Sequence, residues 1–183
     1  MPSPIAHATV GYLIYEVVRS RWPQLELRQV GPIPGLLAVT TGLSLLPDAD
    51  SAVGLLAGDF ARFHNNATHS LLVGLGVALV VAGLLRWLRL GPIGPWFALT
   101  LLCYELHIVM DAFTIGRGVM LVWPLSGARY LAPVMLFYGF HWSQGLLSLR
   151  HVWTLLSELA FMVTMIVAVR AMRSWPLRGQ PGH

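Results

Sequence analysis

The sequence predicts an all-α fold: an integral membrane helical bundle of about five transmembrane helices plus one re-entrant or interfacial segment. Three observations carry that reading. Only 11% of the 183 residues are charged, less than half of the roughly 25% usual in a soluble domain. Hydrophobic residues make up 56% of the chain, and mean hydropathy is +0.66. The apolar residues also gather in runs, several of them close to the roughly 20 residues that cross a bilayer core. A chain with so thin a polar coat cannot cover a globule with solvated groups, so its surface suits lipid.

The first apolar stretch, about 4–19 (PIAHATVGYLIYEVVR), lacks a basic leading region and a clear small-residue cleavage site, so it reads as a retained helix. The second, about 33–47 (IPGLLAVTTGLSLLP), is short for a span and leans on its neighbours or covers part of the bilayer. The clearest spans are 70–90, about 95–114 and about 152–171. Residues 119–140 are apolar but broken by Pro124, Gly127 and Pro133, which predicts the re-entrant or interfacial segment, its backbone satisfied against protein. Residues 1–172 thus form one transmembrane domain, and 173–183 a loose polar tail. The lone cysteine, Cys103, lies in an apolar run and reads as a small buried hydrophobe.

All twelve basic residues are arginine, and the net charge is +4. A nucleic-acid partner would call for a clustered basic face. These arginines sit instead in short groups beside apolar segments, so no nucleic acid is expected and the groups report topology. With the N-terminus outside, the inner segments hold Arg19, Arg21, Arg28, Arg86, Arg89, Arg170, Arg173 and Arg178. Arg62, Arg117, Arg129 and Arg150 fall outside. The excess of arginine inside fits five crossings of an inner membrane, N-out and C-in.

That topology collects the unusual polar residues at the outer face. His7 opens the first helix, Asp48 and Asp50 (LPDAD) follow the second, His64 and His69 (HNNATHS) precede the third, and His107 and Asp111 (HIVMD) lie in the outer part of the fourth. His107 and Asp111 are four apart and share a helix face. Ionisable groups inside an apolar span are costly and point to function. Imidazole with carboxylate suits zinc, manganese or iron. Asp48 alone also reads as a helix cap after Pro47. Thr68 or Ser70 reads as the cap of the next helix, whose free N–H groups would suit a phosphate. His141 and His151 read as interfacial, and Glu16 and Glu158 as interhelical hydrogen-bonding groups.

The motifs PDAD, HNNATHSLL and HIVMDAFTIGRGVMLVWP, with the early His7, resemble the YdjM-like family of membrane-bound, metal-dependent hydrolases over roughly residues 5–130. That family often carries arginine after the first histidine of H-x-x-x-T-H-S, where Asn65 stands here. It is distantly similar to zinc-dependent phospholipases C and related nucleases. The resemblance implies that His7, Asp50, His64, His107 and Asp111 ligate two metals, with Asp111 bridging, and makes His64 a nearer ligand than His69.

The expected chemistry is hydrolysis of a lipid or lipid-linked phosphoester at the outer membrane–water interface. One or two divalent ions, zinc first and Mn²⁺ or Mg²⁺ otherwise, would bring their water's pKa from about 15.7 towards 7. Asp48 or Asp50 would act as general base, His69 as ligand, positioning group or general acid, and Arg117 and Arg129 would grip an anionic head group or snorkel at the interface. The alternative is a non-enzymatic metal protein, either a transporter or a scaffold stapled by its ion. A transporter would place its ionisable groups near the midplane.

Overall fold

A computed structural model describes residues 2–25, 27, 33–58, 63–139 and 148–174. Six α-helices occur among them: α1 (Pro4–Arg21), α2 (Gly35–Leu45), α3 (Ala49–Leu56), α4 (Leu71–Trp87), α5 (Ile93–Ala112) and α6 (Arg150–Ser174). The described residues contain no strand; isolated bridges pair Thr114 with Phe137 and Val119 with Tyr130. Each of the five apolar stretches is a helix, so the all-helical expectation holds. Arg28, Arg62, Arg178, His141 and the tail from residue 175 lie outside the described residues.

The number of spans differs from the five expected. Among the described residues two helices, Ile93–Ala112 and His151–Met172, are long and apolar enough to cross a membrane. Helix α4 is apolar but has 17 residues. Helix α2 has 11, which at about 1.5 Å per residue is roughly half the hydrocarbon thickness. Helix α1 has 18 residues, but polar His7 and Thr9 and charged Glu16, Arg19 and Arg21 dilute its hydropathy.

Helix α5 is the hub. It packs against α4, α2 and α1, while α1 also lies against α2 and α6. Trp96, Leu99 and Cys103 of α5 are fully buried, in a core shared with Ala6, Val10, Ile14 and Val18 of α1. Cys103 is thus the buried hydrophobe expected. Glu158 of α6 is buried and accepts hydrogen bonds from the backbone N–H of Ser3 (2.6 Å) and from its hydroxyl. It is the interhelical polar group expected, pinning α6 to the start of α1. Glu16 pairs with Arg19 of its own helix at 3.2 Å.

The close fit of α1 on α2 depends on Gly11. A Cβ there would lie 2.7 Å from Thr41 Cα and 2.8 Å from the Thr40 carbonyl oxygen, both backbone atoms that cannot step aside. Small residues let membrane helices approach in this way.

Residues 113–139 are not helical. Val119 and Tyr130 exchange backbone hydrogen bonds of 3.1 and 2.9 Å. The buried Val119 packs on Tyr104 and Ile108 of α5, while Leu125, Leu131 and Val134 stay exposed. The segment is therefore anchored on protein along one side and apolar along the other, in keeping with an interfacial element.

Gly11→Val should separate α1 from α2 and cost about 1–3 kcal/mol, the usual range for overpacking. Gly83→Ala, where an added Cβ meets nothing within 4 Å, should leave the thermal midpoint in detergent unchanged or slightly raised.

Candidate metal centre

The helix ends at one end of the bundle build the site. Helix α2 stops at Leu45, and a 3-10 turn over Leu46–Asp48, with Pro47 in its first positions, leads into α3. Asp48 stands at the N-cap position of α3 but makes no side-chain capping bond. Its carboxylate faces imidazoles instead. The cap expected of LPDAD is therefore present as a position and absent as an interaction. The third motif turns at Asn65, whose φ of 57° lies in the left-handed region that asparagine tolerates better than most residues. A 3-10 turn over Ala67–His69 then carries His69 inward, and it is fully buried.

Ser70 caps α4, its hydroxyl accepting from Leu72 N at 3.2 Å. Leu71 N donates to the Leu121 carbonyl at 3.0 Å. The free helix end expected to receive a phosphate is thus partly spent on the chain itself. Thr68, the other candidate cap, donates to Asp50 Oδ2 at 2.5 Å.

Four donor atoms converge: Asp48 Oδ1, His69 Nε2, His107 Nε2 and Asp111 Oδ2. His69 Nε2 lies 3.2 Å from His107 Nε2, 3.0 Å from Asp111 Oδ2 and 3.6 Å from Asp48 Oδ1. His107 Nε2 lies 3.5 Å from Asp48 Oδ1 and 3.8 Å from Asp111 Oδ2. A tetrahedral ion with ligand bonds of about 2.0–2.2 Å has ligand–ligand edges of about 3.3–3.6 Å. The observed separations bracket that range.

The hydrogen-bond network assigns the tautomers. His107 Nδ1 lies 2.7 Å from the Ser44 carbonyl and must donate to it, which leaves Nε2 as a lone pair. The Thr68 hydroxyl gives its proton to Asp50, so it accepts from His69 Nδ1 at 3.0 Å, and in a neutral His69 ring Nε2 is a lone pair as well, open to a proton or a metal ion. Two buried lone pairs 3.2 Å apart repel unless a cation or a proton lies between them. Fixing a ligating imidazole through its other nitrogen is how proteins orient metal-binding histidines.

Charge points the same way. Asp48, Asp50 and Asp111 are all largely buried, and Asp111 is 2% exposed. The ion pairs found for them among the described residues are with histidines. Both oxygens of Asp48 and of Asp111, and both ring nitrogens of His7, are buried without a hydrogen-bond partner among the described residues. Burial alone would raise the Asp48 pKa, but contacts with His107 and His69 hold it far below the usual carboxylate range. Burial also opposes ionisation of Asp50, and His64, His69 and Thr68 outweigh it. Burial disfavours a charged His69, yet Asp111, Asp48 and Asp50 push its pKa well above 6.5. The cluster draws positive charge to its centre. Buried anions of this kind are paired or coordinate metals, and these His and Asp groups could hold a metal ion.

A second group adjoins the first. Asp48 belongs to both, joined here by Asp50 and His64. His64 Nδ1 lies 3.1 Å from Asp50 Oδ1, 2.8 Å from the Ser51 hydroxyl and 3.5 Å from Asp48 Oδ1. His7 stacks on His107 with ring centroids 3.7 Å apart, and its Nε2 lies 3.5 Å from Asp111 Oδ1.

All seven residues singled out in the sequence therefore meet. His69 belongs to the four-donor group and His64 to the adjoining one, so each lies among convergent donors. Asp48, rather than Asp111, is common to both groups. The arginines differ too. Arg129 donates to the carbonyls of Asn65 (2.9 Å) and Gly118 (3.0 Å) and to Asn66 Oδ1 (2.6 Å), and Arg117 to the His64 carbonyl. In the structure these guanidiniums hold the histidine-bearing turn. A guanidinium thus reaches the Asn65 turn from elsewhere in the chain.

Thr68, Ser51 and the Ser44 carbonyl were not foreseen as site groups. Thr68 lies inside a recognisable motif, and Ser51 follows Asp50 directly. The Ser44 carbonyl leaves no side-chain signal. His151 is buried at the start of α6.

Helices with a largely apolar exterior, joined at one end by a buried His/Asp cluster, define a membrane protein with a candidate metal centre. The chain matches the model of the family described as "YdjM inner membrane protein" over residues 1–176, and it belongs to that family. It is 35% identical over 138 residues to the protein named "Inner membrane protein YbcI" of Escherichia coli (strain K12), covering 73% of each chain. No solved structure matches. The protein is thus an inner membrane protein.

Elemental analysis of the purified protein should find a divalent metal, and His69→Ala, His107→Ala and Asp111→Ala should each lose most of it. Thr68→Val, which keeps every donor of the four-atom group, should weaken metal affinity about 10–100-fold, as losses of orienting partners do. Full metal retention in the three alanine variants would rule this site out.

Proposed function

We propose that the protein is a membrane-embedded, zinc-type metal hydrolase that cleaves a lipid or lipid-linked phosphoester at the outer face of the inner membrane. The observation that carries the reading is the four-donor group with both imidazole Nε2 atoms turned inward. Two imidazoles and two carboxylates at tetrahedral separations suit zinc. When bound, such an ion supplies hydroxide near neutral pH and polarises a phosphoryl oxygen.

The chain's own residues would do the rest. The Ser44 carbonyl and the Thr68–Asp50 pair hold His107 and His69 in ligating orientation. Asp48 Oδ2, buried without a hydrogen-bond partner among the described residues, is placed to accept a proton. Asp50, which pairs with His64 through Nδ1 at 3.1 Å, forms a carboxylate–imidazole dyad of the kind that moves protons in hydrolases. A second ion between Asp48, Asp50 and His64 is the competing use of that group, favoured by their convergent donor atoms. With the N-terminus outside, as the arginine placement suggests, the site would lie at the outer head-group level, and Arg117, exposed beside the His64 turn, is the nearest candidate to meet an anion.

The near-total burial of His7, His69 and Asp111 favours one other reading, an ion that only staples the helix ends. Metal-loaded protein in mixed micelles, screened against phospholipids and lipid-linked phosphates with ³¹P detection, separates the two. Turnover should appear, with His64→Gln and Asp50→Asn lowering kcat about 10²–10⁴-fold while His64→Gln keeps the first ion. Turnover of no phosphoester, together with a metal-dependent rise in melting temperature, would favour the staple.

A further inference from the structure

A groove with wholly apolar walls runs between α1, α5 and α6. Its volume is about 410 Å³, within the roughly 300–1,000 Å³ of ligand pockets. Helix register ties it to the metal centre. In α1, Val10 and Ile14 follow His7 at spacings of three and seven, so they continue the His7 face, and both line the groove. In α5, Leu106 and Met110 line it while the next residues, His107 and Asp111, belong to the candidate metal centre. The groove stripe and the ligand stripe are thus neighbours on one helix.

Phe113, two residues past Asp111, marks the near end, and Leu102 the far end. At 1.5 Å per residue that is about 16 Å, close to half of the roughly 30 Å hydrocarbon core. That length matches the depth of one leaflet. Above it, α1 and α6 are pinned by Ser3 on Glu158 and by the contact of Thr9 with Met162 Sδ at 3.0 Å.

These dimensions select the occupant. A peptide would bring backbone N–H and C=O groups into walls that offer no partners. A single hydrocarbon chain fits both the apolar lining and the length. We infer that the groove holds one long acyl or isoprenoid chain of the lipid whose phosphate is presented to the metal centre, an inference that rests on the hydrolase reading and names its substrate class.

The test uses full-length protein in phosphatidylethanolamine–phosphatidylglycerol vesicles containing a phospholipid with a diazirine near the end of one acyl chain. After irradiation, mass spectrometry should find label at Ile14, Leu106 and Phe161. Val17→Trp and Val109→Trp, which fill the groove from its exposed edge, should cut that labelling about tenfold with metal content unchanged. Leu79→Trp, on the exposed face of α4, should leave it unaltered. Label spread evenly over exposed residues of α4 and α6, undiminished label in the filled variants, or crosslinks to a second copy in its place would each overturn the groove site. Groove labelling without turnover of any phosphoester would uphold the lipid site and sink the hydrolase. Equal turnover of short-chain and long-chain phosphoesters, with the groove unlabelled, would do the reverse.

Discussion

Three carboxylates gathered in a low-dielectric interior are the constraint on which the rest of this structure depends. Each would be expensive alone, because burying an unpaired charge costs several kcal/mol even after relaxation. Here Asp48, Asp50 and Asp111 are surrounded by His7, His64, His69 and His107. Imidazoles can compensate them by taking protons or by sharing a cation. The Nε2 atoms of His69 and His107, 3.2 Å apart, suit either a proton held on His69 or a cation shared between them.

The fold serves that cluster through its helix ends rather than its helix middles. Helix α1 begins with His7 four residues into its first turn, α2 ends just before Asp48, and α5 ends at Ala112, immediately after Asp111. Short 3-10 turns at Leu46–Asp48 and Ala67–His69 bring the remaining donors inward. Gly11 allows α1 to lie close on α2, and the α1–α2 pair fixes His7 relative to the Ser44 carbonyl that orients His107. The non-helical 113–139 segment then closes over the turn, with Arg129 and the Leu121 carbonyl holding it in place.

The membership of the site was legible in the sequence because ionisable residues are rare in this chain. Seven of them at the ends of apolar runs stand out, and the topology drawn from arginine placement put them on one side. Their roles were not legible. His64 and His69 are five residues apart in a polar turn, and which donor group each joins depends on the left-handed Asn65 and the 3-10 turn that follows. Asp48 looked like a cap because its position is a cap position, but its carboxylate finds imidazoles nearer than backbone N–H groups. Arg117 and Arg129 looked available to a ligand, whereas carbonyls brought close by folding take up Arg129 and engage Arg117.

By itself the sequence determined a lipid-matched chain of helices and the set of side chains meeting at one end, since hydropathy and residue type are properties of local stretches. Tertiary structure alone decided how many helices have the length to span, where the short α3 begins, which carboxylate is common to both donor groups, and that an apolar groove runs beside them. Those outcomes depend on distances of a few ångströms between segments far apart in the chain. The Ser44 carbonyl is the plainest case: 63 residues from His107, it sets the imidazole's tautomer through a backbone atom that every residue possesses.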